Sequence, residues 1–411
     1  MAPKKRPVYI PRSIEKTLSG LAKQFPAVAL TGPRQSGKST LLRKVFSKTH
    51  TYVTFDDPLV REKALSDPRL LLEEAGERII LDEIQYAPHL LSYLKMAIDS
   101  RRSEKGRFLL TGSQQFALIK DLGDSLAGRI ALLELMPFGV GEKRKVKRIR
   151  SALTDTGGCF THACLRGSFP ETSVDGNIDV QAWYGAYLRT YLERDVRTLH
   201  NIGNLRDFQL FVKLLAARCS QVLNTASLSK DLGVGANTIK RWISILEASR
   251  IVYLLPPYYN NLGKRVTKAP KVYFVDCGLV CYLTGVRSRE HLFSGPMAGA
   301  LFENFWIQET LKIFLNEGKS PELFYLRTHN GIEVDLLIEA GNRKLYPLEI
   351  KLSKTPRLSM AAGIGRFRKL FARLDIGKGR ILSLSDKTVS LAEDAEVLSM
   401  EDYFHWLGRE I

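Results

Sequence analysis

Val28-Ala-Leu-Thr-Gly-Pro-Arg-Gln-Ser-Gly-Lys-Ser-Thr-Leu-Leu42 reads as a short apolar strand, a glycine loop and the opening of a helix. Gly32, Gly37, Lys38 and Ser39 fit G-x-x-x-x-G-K-[ST]. In that pattern loop N–H groups cradle phosphates, the lysine reaches the terminal phosphates and the hydroxyl ligates Mg²⁺. The expected nucleotide cradle therefore runs through Gly32, Pro33, Arg34, Gln35, Ser36, Gly37, Lys38, Ser39 and Thr40, at a helix start whose dipole favours anions.

Further along, Arg78-Ile-Ile-Leu-Asp82-Glu83 is an apolar strand ending in two carboxylates. Set beside the first strand, Asp82 would join Ser39 in the Mg²⁺ shell while Glu83 polarises the attacking water. Tyr52 to Phe55 and Arg107 to Gln114 read as further strands. Helical patterns lie at Ile14–Leu21, Leu59–Leu65, Pro68–Ala75, His89–Arg101 and Phe116–Leu126, and such alternation predicts a parallel, doubly covered sheet. Ser113 or Thr111, ending the strand from Arg107, would sense the γ-phosphate unless it only caps the strand. Arg129 would reach a γ-phosphate in its own or a neighbouring subunit, or serve as a surface ion-pair residue.

The chain has 61 Lys and Arg against 43 Asp and Glu, a net charge of +18, which predicts attraction to polyanions, most economically nucleic acid, unless it is only a solvated basic surface. Six cations crowd Lys143 to Arg150, a solvated face or a phosphate contact. A hydrophobic content of 45% over 411 residues excludes disorder. Cys159, Cys164, Cys219, Cys277 and Cys281 form no C-x-x-C cluster, so reduced thiols in a cytoplasmic protein are expected. The start is basic with no apolar segment behind it, and no run approaches the roughly 18 apolar residues of a membrane span.

Trp183 to Leu199 reads as a long helix with a mixed-charge face. In Leu228 to Leu246 a short helix ends at Gly233, a turn passes Gly235, and Asn237 would cap a second helix that buries Ile239, Trp242, Ile243 and Leu246. Its other face carries Thr238, Lys240, Arg241 and Ser244. This helix-turn-helix pattern would present those polar residues to a major groove. Strands at Ile251–Leu255 and Lys271–Val275 flank a connection bearing Lys264, Arg265 and Lys268, suited to a basic wing. Packing or subunit contact is the competing use of the same lid.

Near the C-terminus Glu303 is an acid in an apolar helix, Leu301–Ile313. Glu333-Val-Asp-Leu-Leu-Ile338 and Leu345-Tyr-Pro-Leu-Glu-Ile-Lys351 read as a hairpin. A three-residue loop, Gly341 to Arg343, pairs Ala340 with Lys344 and sets Asp335 opposite Glu349, with Lys351 on the same face. Facing carboxylates ask for a cation. Mg²⁺ held by Asp335, Glu349 and Glu303, with Lys351 activating water, is one answer, and a salt bridge from Lys351 is the other.

With Leu126-Ala-Gly-Arg129, Gly167-Ser-Phe-Pro-Glu171, Tyr191-Leu-Glu-Arg-Asp195, Lys268 to Gly278, Ala300-Leu-Phe-Glu-Asn304 and Glu349-Ile-Lys351 added, the chain resembles a prokaryotic family of predicted AAA+ ATPases. That family carries a C-terminal domain of unknown function similar to PD-(D/E)XK restriction endonucleases. The resemblance implies an α/β fold: an AAA+ P-loop parallel sheet over residues 1–136, a helical lid and linker over 137–204, a winged helix-turn-helix over 205–284 and a restriction-endonuclease-like domain over 285–411. It maps Asp335, Glu349 and Lys351 onto the endonuclease metal site and Glu303 onto its helical acid. Ser113 stands where an asparagine often senses phosphate. It further implies a homo-oligomer, with a neighbour's arginine completing an ATP and Mg²⁺ site. Glu303, Asp335, Glu349 and Lys351 with the +18 charge favour ATP-driven remodelling or cleavage of DNA; the alternative is a signalling or defence switch whose winged-helix and endonuclease-like domains only bind partners.

Overall fold

The computed structural model describes residues 9–112, 126–191, 204–258, 268–328, 331–341 and 343–410. The chain divides into two compact units, one running up to Ser151 with Asn316–Gly318, the other Ala152–Leu315 with the residues from Lys319 on.

The first unit contains α1 (Glu15–Ala22), β1 (Ala27–Thr31), α2 (Lys38–Phe46), β2 (Thr51–Thr54), α3 (Pro58–Ser66), α4 (Pro68–Ala75), β3 (Ile79–Asp82), α5 (Leu90–Ser100), β4 (Phe108–Thr111), β5 (Ile130–Glu134) and α6 (Val140–Lys143). Its sheet is ordered β2-β3-β4-β1-β5 and every neighbouring pair is parallel. Strand residues alternate between two buried layers, as a doubly covered sheet requires. Val28, Leu30, Ile80 and Leu109 pack with Leu18 of α1 and Leu41 and Leu42 of α2. Ala27, Ala29, Leu81 and Leu110 pack with Ala64, Leu71, Leu94 and Ile98 of α3, α4 and α5. The order corrects one expectation: β3 is not beside β1, because β4 lies between them and brings Thr111 to the strand ends where Asp82 sits.

Lys143, first of the basic run, is buried, whereas Lys145, Lys147, Arg148 and Arg150 are exposed, so the run is not one solvated face.

The second unit begins with α7 (Thr156–Leu165), α8 (Pro170–Val174) and α9 (Val180–Tyr191). Then come α10 (Leu205–Ala216), α11 (Thr225–Leu232), α12 (Ala236–Ala248) and an antiparallel pair, β6 (Val252–Leu255) and β7 (Lys271–Phe274). Asn224 caps α11 by accepting from the Ser227 N–H at 2.9 Å, and Gly233 ends it in the left-handed region at φ 68°. Residue Gly235, not Asn237, caps α12, which starts two residues earlier than the asparagine suggests. Ile239, Trp242, Ile243, Ile245 and Leu246 are buried, and Trp242 meets Phe208 and Phe211 of α10 edge-on or tilted.

After α13 (Cys277–Thr284), α14 (Arg289–Ser294) and α15 (Ala298–Asn316) comes a mixed sheet of β8 (Leu323–Arg327), β9 (Glu333–Glu339), β10 (Leu345–Ile350), β11 (Gly379–Leu382), β12 (Val389–Ala392) and β13 (Ala395–Leu398), with α16 (Ala362–Leu370) between β10 and β11 and α17 (Met400–Glu410) last. Its order is β12-β13-β11-β10-β9-β8; β8, β9 and β10 are antiparallel in turn, and β10, β11 and β13 are parallel. The five cysteines are buried thiols, and among the described residues no helix is long and apolar enough to cross a membrane.

Candidate functional site

The phosphate loop leaves β1 at Gly32, whose φ of 137° and contact with the Leu135 carbonyl leave no room for a side chain, a Cβ there lying 2.3 Å from that oxygen. Gln35 (φ 60°) and Gly37 (φ 95°) both take left-handed backbone, which curls the loop. Lys38 is buried and donates to the Gly32 and Pro33 carbonyls at 3.0 and 2.9 Å. Arg34 donates to the Tyr86 hydroxyl at 3.4 Å, Ser36 is buried, and Thr40 is exposed on α2.

Asp82 ends β3 almost fully buried and accepts three hydroxyl donors: Ser39 at 2.7 Å, Thr111 at 2.6 Å and Tyr52 at 2.6 Å. The Ser39 hydroxyl and Asp82 carboxylate supply the hard oxygens Mg²⁺ prefers, so this pair fits the ion. Glu83, beside it, is held at φ 56°. Its N–H donates to the Thr111 hydroxyl at 2.9 Å, and its carboxylate accepts from Gln85. A non-glycine residue in that region costs about 1–3 kcal/mol, strain of the kind that concentrates at working sites. Thr111 thus ties both acids together. Tyr52 and Thr111 complete what the motif alone omits.

Arg129 precedes β5, and its carbonyl accepts from Ala27 N–H at the start of β1. The loop leaves the other end of β1, about 16 Å away for five strand residues. Its guanidinium pairs with Asp99 at 2.7 and 2.9 Å. Arg129 therefore cannot serve its own loop, which corrects half of the expectation. Ser113, Lys264 and Arg265 lie outside the described residues. Lys240 and Arg241 are exposed on α12, Thr238 is half-buried beside them, and Lys268 is exposed before β7.

In the second unit the β9–β10 hairpin takes the register that its three-residue loop predicts: Ala340 N–H donates to Lys344 O, and Leu336 pairs with Leu348, so Asp335 faces Glu349. Lys351 Nζ sits 2.5 Å from Glu349 and 3.2 Å from Asp335, and Asp335 also accepts the Ile350 N–H at 2.9 Å. A second cation was not expected. Lys271 of β7, buried, places Nζ 3.1 Å from Glu303, 2.9 Å from Glu333 and 3.9 Å from Asp335. Tyr273, two residues on and so on the same strand face, donates to Glu303 at 2.5 Å. That i, i+2 pair of polar residues in an apolar strand was the available signal, but it names no partner.

Four carboxylates thus meet two ammonium groups, and the excess negative charge shows in their acidities. Burial, and then the charge of Asp335, pushes Glu349 up to about 8; burial pushes Glu303 up to about 7 against the pull of Lys271. Burial opposes the charge on Lys271 and on Lys351, but the surrounding carboxylates hold both above the ordinary lysine range. Gly363 of α16 lies so close that a Cβ would fall 2.3 Å from Glu349 Oε1. A cleft of about 250 Å³ opens over Asp335, Glu349 and Lys351, lined also by Arg366. Of the two expected answers to the facing carboxylates, the structure shows the salt bridge, Lys351 pairing with both Asp335 and Glu349, and among the described residues no group of three or more His, Cys, Asp or Glu is arranged to hold a metal.

Asn304 follows Glu303 on α15 and is fully buried. Its side chain accepts from Phe274 N–H at 2.8 Å and donates to Phe274 O at 3.0 Å, matching both backbone groups at the end of β7.

Three family models match the chain: an AAA domain over residues 24–143, a domain of unknown function (DUF8612) over 159–290 and a domain of unknown function (DUF4143) over 298–403. The uncharacterized proteins Rv2008c of Mycobacterium tuberculosis and Mb2031c of Mycobacterium bovis are each 33% identical over 374 residues, covering 90% of this chain and 80% of theirs. Among solved structures, the Walker-type ATPase PABY2304 of Pyrococcus abyssi aligns at a TM-score of 0.46 and 16% identity, covering 69% of this chain and 98% of that one. A P-loop whose Ser39 bonds Asp82 at the strand ends of a five-stranded parallel sheet, together with the AAA-domain and DUF4143 matches and the 33% identity to the mycobacterial proteins, leads to one conclusion: the chain belongs to the family of these mycobacterial proteins and is a P-loop ATPase with a C-terminal DUF4143 domain.

Proposed function

We propose that the protein is a Mg²⁺-dependent ATPase that acts on DNA as a homo-oligomer in the cytoplasm, remodelling it rather than cutting it. The observation that carries the ATPase chemistry is the Ser39–Asp82–Thr111–Glu83 chain of hydrogen bonds at the strand ends. Ser39 and Asp82 would hold Mg²⁺, Lys38 would meet the terminal phosphates and Glu83 would orient water. Bound Mg²⁺ would neutralise charge on the phosphates.

For DNA, the support is the α10-α11-α12-β6-β7 order of a winged helix, the exposed Lys240 and Arg241 beside half-buried Thr238, and the net charge of +18. Lys264, Arg265 and Lys268 belong to the proposed wing. The α15, β8-β9-β10, α16, β11 order supports an endonuclease-like reading of the C-terminal domain, and the lysine-filled acid cluster argues against cleavage by it. That same cluster favours the second reading, a signalling or defence switch whose C-terminal domain only binds partners.

Turnover with and without DNA, across a salt series, separates the two. DNA-stimulated hydrolysis, with affinity falling steeply as salt rises, supports the first. Turnover indifferent to DNA overturns it in favour of the switch, and DNA cut in Mg²⁺ but left intact by Glu349→Ala overturns remodelling without cleavage.

A further inference from the structure

Arg12 lies far outside the phosphate-loop motif, yet its guanidinium is buried against it. Nη1 donates to the Ser36 carbonyl at 2.7 Å, Nη2 to the Met136 carbonyl at 2.6 Å, and Nε to Glu142 at 2.9 Å. The group also lies 4.7 Å from the centre of the Phe138 ring. Glu142 is fixed in turn: it accepts the Ser13 and Gly139 N–H groups at 2.7 and 2.9 Å. Arg12 holds it below the ordinary glutamate range although burial opposes this. One planar fork therefore ties together the segment before α1, the phosphate loop and the chain after β5, a task that suits arginine and not lysine.

The bond to Ser36 matters because of what shares its peptide plane. Every peptide among the described residues is trans, and in a trans peptide the C=O and the next residue's N–H point in opposite directions. Drawing the Ser36 carbonyl toward Arg12 turns the Gly37 N–H the other way. Gly37 belongs to the set of loop N–H groups that receive phosphate oxygens in this motif. Ser36 also follows a strained left-handed residue, Gln35, and its peptide plane ends at Gly37, a glycine that takes the left-handed region without cost.

We propose that Arg12 is a positioning residue of the ATPase site: by anchoring the Ser36 carbonyl outward it presets the Gly37 N–H for the nucleotide phosphates. It touches no substrate and acts through the loop. The proposal rests on the P-loop ATPase assignment.

The test compares wild type, Arg12→Lys, Arg12→Met and the double variant Arg12→Met, Glu142→Gln by binding of a fluorescent ATP analogue, by KM and kcat, and by Tm. Lysine keeps the charge but cannot hold three acceptors in one plane, so Arg12→Lys raises Kd and KM about tenfold while kcat at saturating ATP stays within about twofold. The double variant leaves no unpaired charge in the interior and answers the question if Arg12→Met does not fold. A lower Tm with Kd and KM at their wild-type values in the folded variants overturns the proposal and leaves Arg12 a structural brace. A wild type that binds no analogue overturns the ATPase assignment instead, which keeps the two failures apart.

Discussion

Thr111 is the side chain through which the two acids of the ATPase site communicate: it donates to Asp82 and accepts from the Glu83 N–H. Thr111→Val keeps the shape and removes both bonds, so turnover should fall about tenfold or more with little change in Tm, as steady-state rates and a thermal melt would show. Glu83→Gln should bind ATP normally and lose about 10²–10⁴ in kcat; near-wild-type hydrolysis by that variant, or by Lys38→Ala, would sink the roles assigned to them. Lys38, Asp82 and Glu83 were legible because the motif states their chemistry in consecutive residues. Thr111 was legible only as a strand-end candidate for sensing the γ-phosphate, not as the link between the two acids, and Arg12 not at all, since a hydrogen bond between distant segments leaves no local pattern. Lys271 was hidden for the same reason. Removing its charge strands buried carboxylates, and Lys271→Ala should cost about 3–5 kcal/mol in a denaturant titration.

The acid cluster that the β9–β10 hairpin shares with α15 carries its own pH dependence. Glu303 and Glu349 titrate near 7 and near 8 when folded, above the ordinary glutamate value near 4.5. Between those limits the folded chain binds more protons than the unfolded one, so stability is greatest at the acid end and falls as pH rises through about 8. Chemical denaturation from pH 5 to 9 should show that loss, and Glu349→Gln should flatten it; a rise in stability across the window would refute the assignment. The hairpin register was legible because loop length and a two-residue period dictate it. So was the buried face of α12, whose apolar spacing names Trp242 and its neighbours. The cap was less so, because glycine and asparagine both start helices and only the turn geometry chose Gly235. On the exposed face, replacing Lys240 and Arg241 with alanine should lower the slope of log affinity against log salt by about two if each meets a phosphate; an unchanged slope would remove α12 from the DNA surface.

Alternating strands and helices announced a doubly covered parallel sheet, but not which strands would be neighbours. Crossover order depends on packing across the whole sheet, and β4 came to lie between β1 and β3. That topology also decides what Arg129 can do, since it sits at the end of the sheet away from its own loop. If it completes a neighbour's site, Arg129→Ala should be about 10³-fold slower, and mixing it with Lys38→Ala chains should restore turnover, because each supplies what the other lacks. A mixture as inactive as its parts would withdraw the role in trans. One further consequence comes from Asn304. By satisfying the N–H and the C=O of Phe274 together, it splices a helix side chain into the strand's ladder and removes the play between β7 and α15. A torque on β7 then reaches α15 as through a rigid coupling, and Lys271 and Glu303, one on each side of that joint, must travel as a pair.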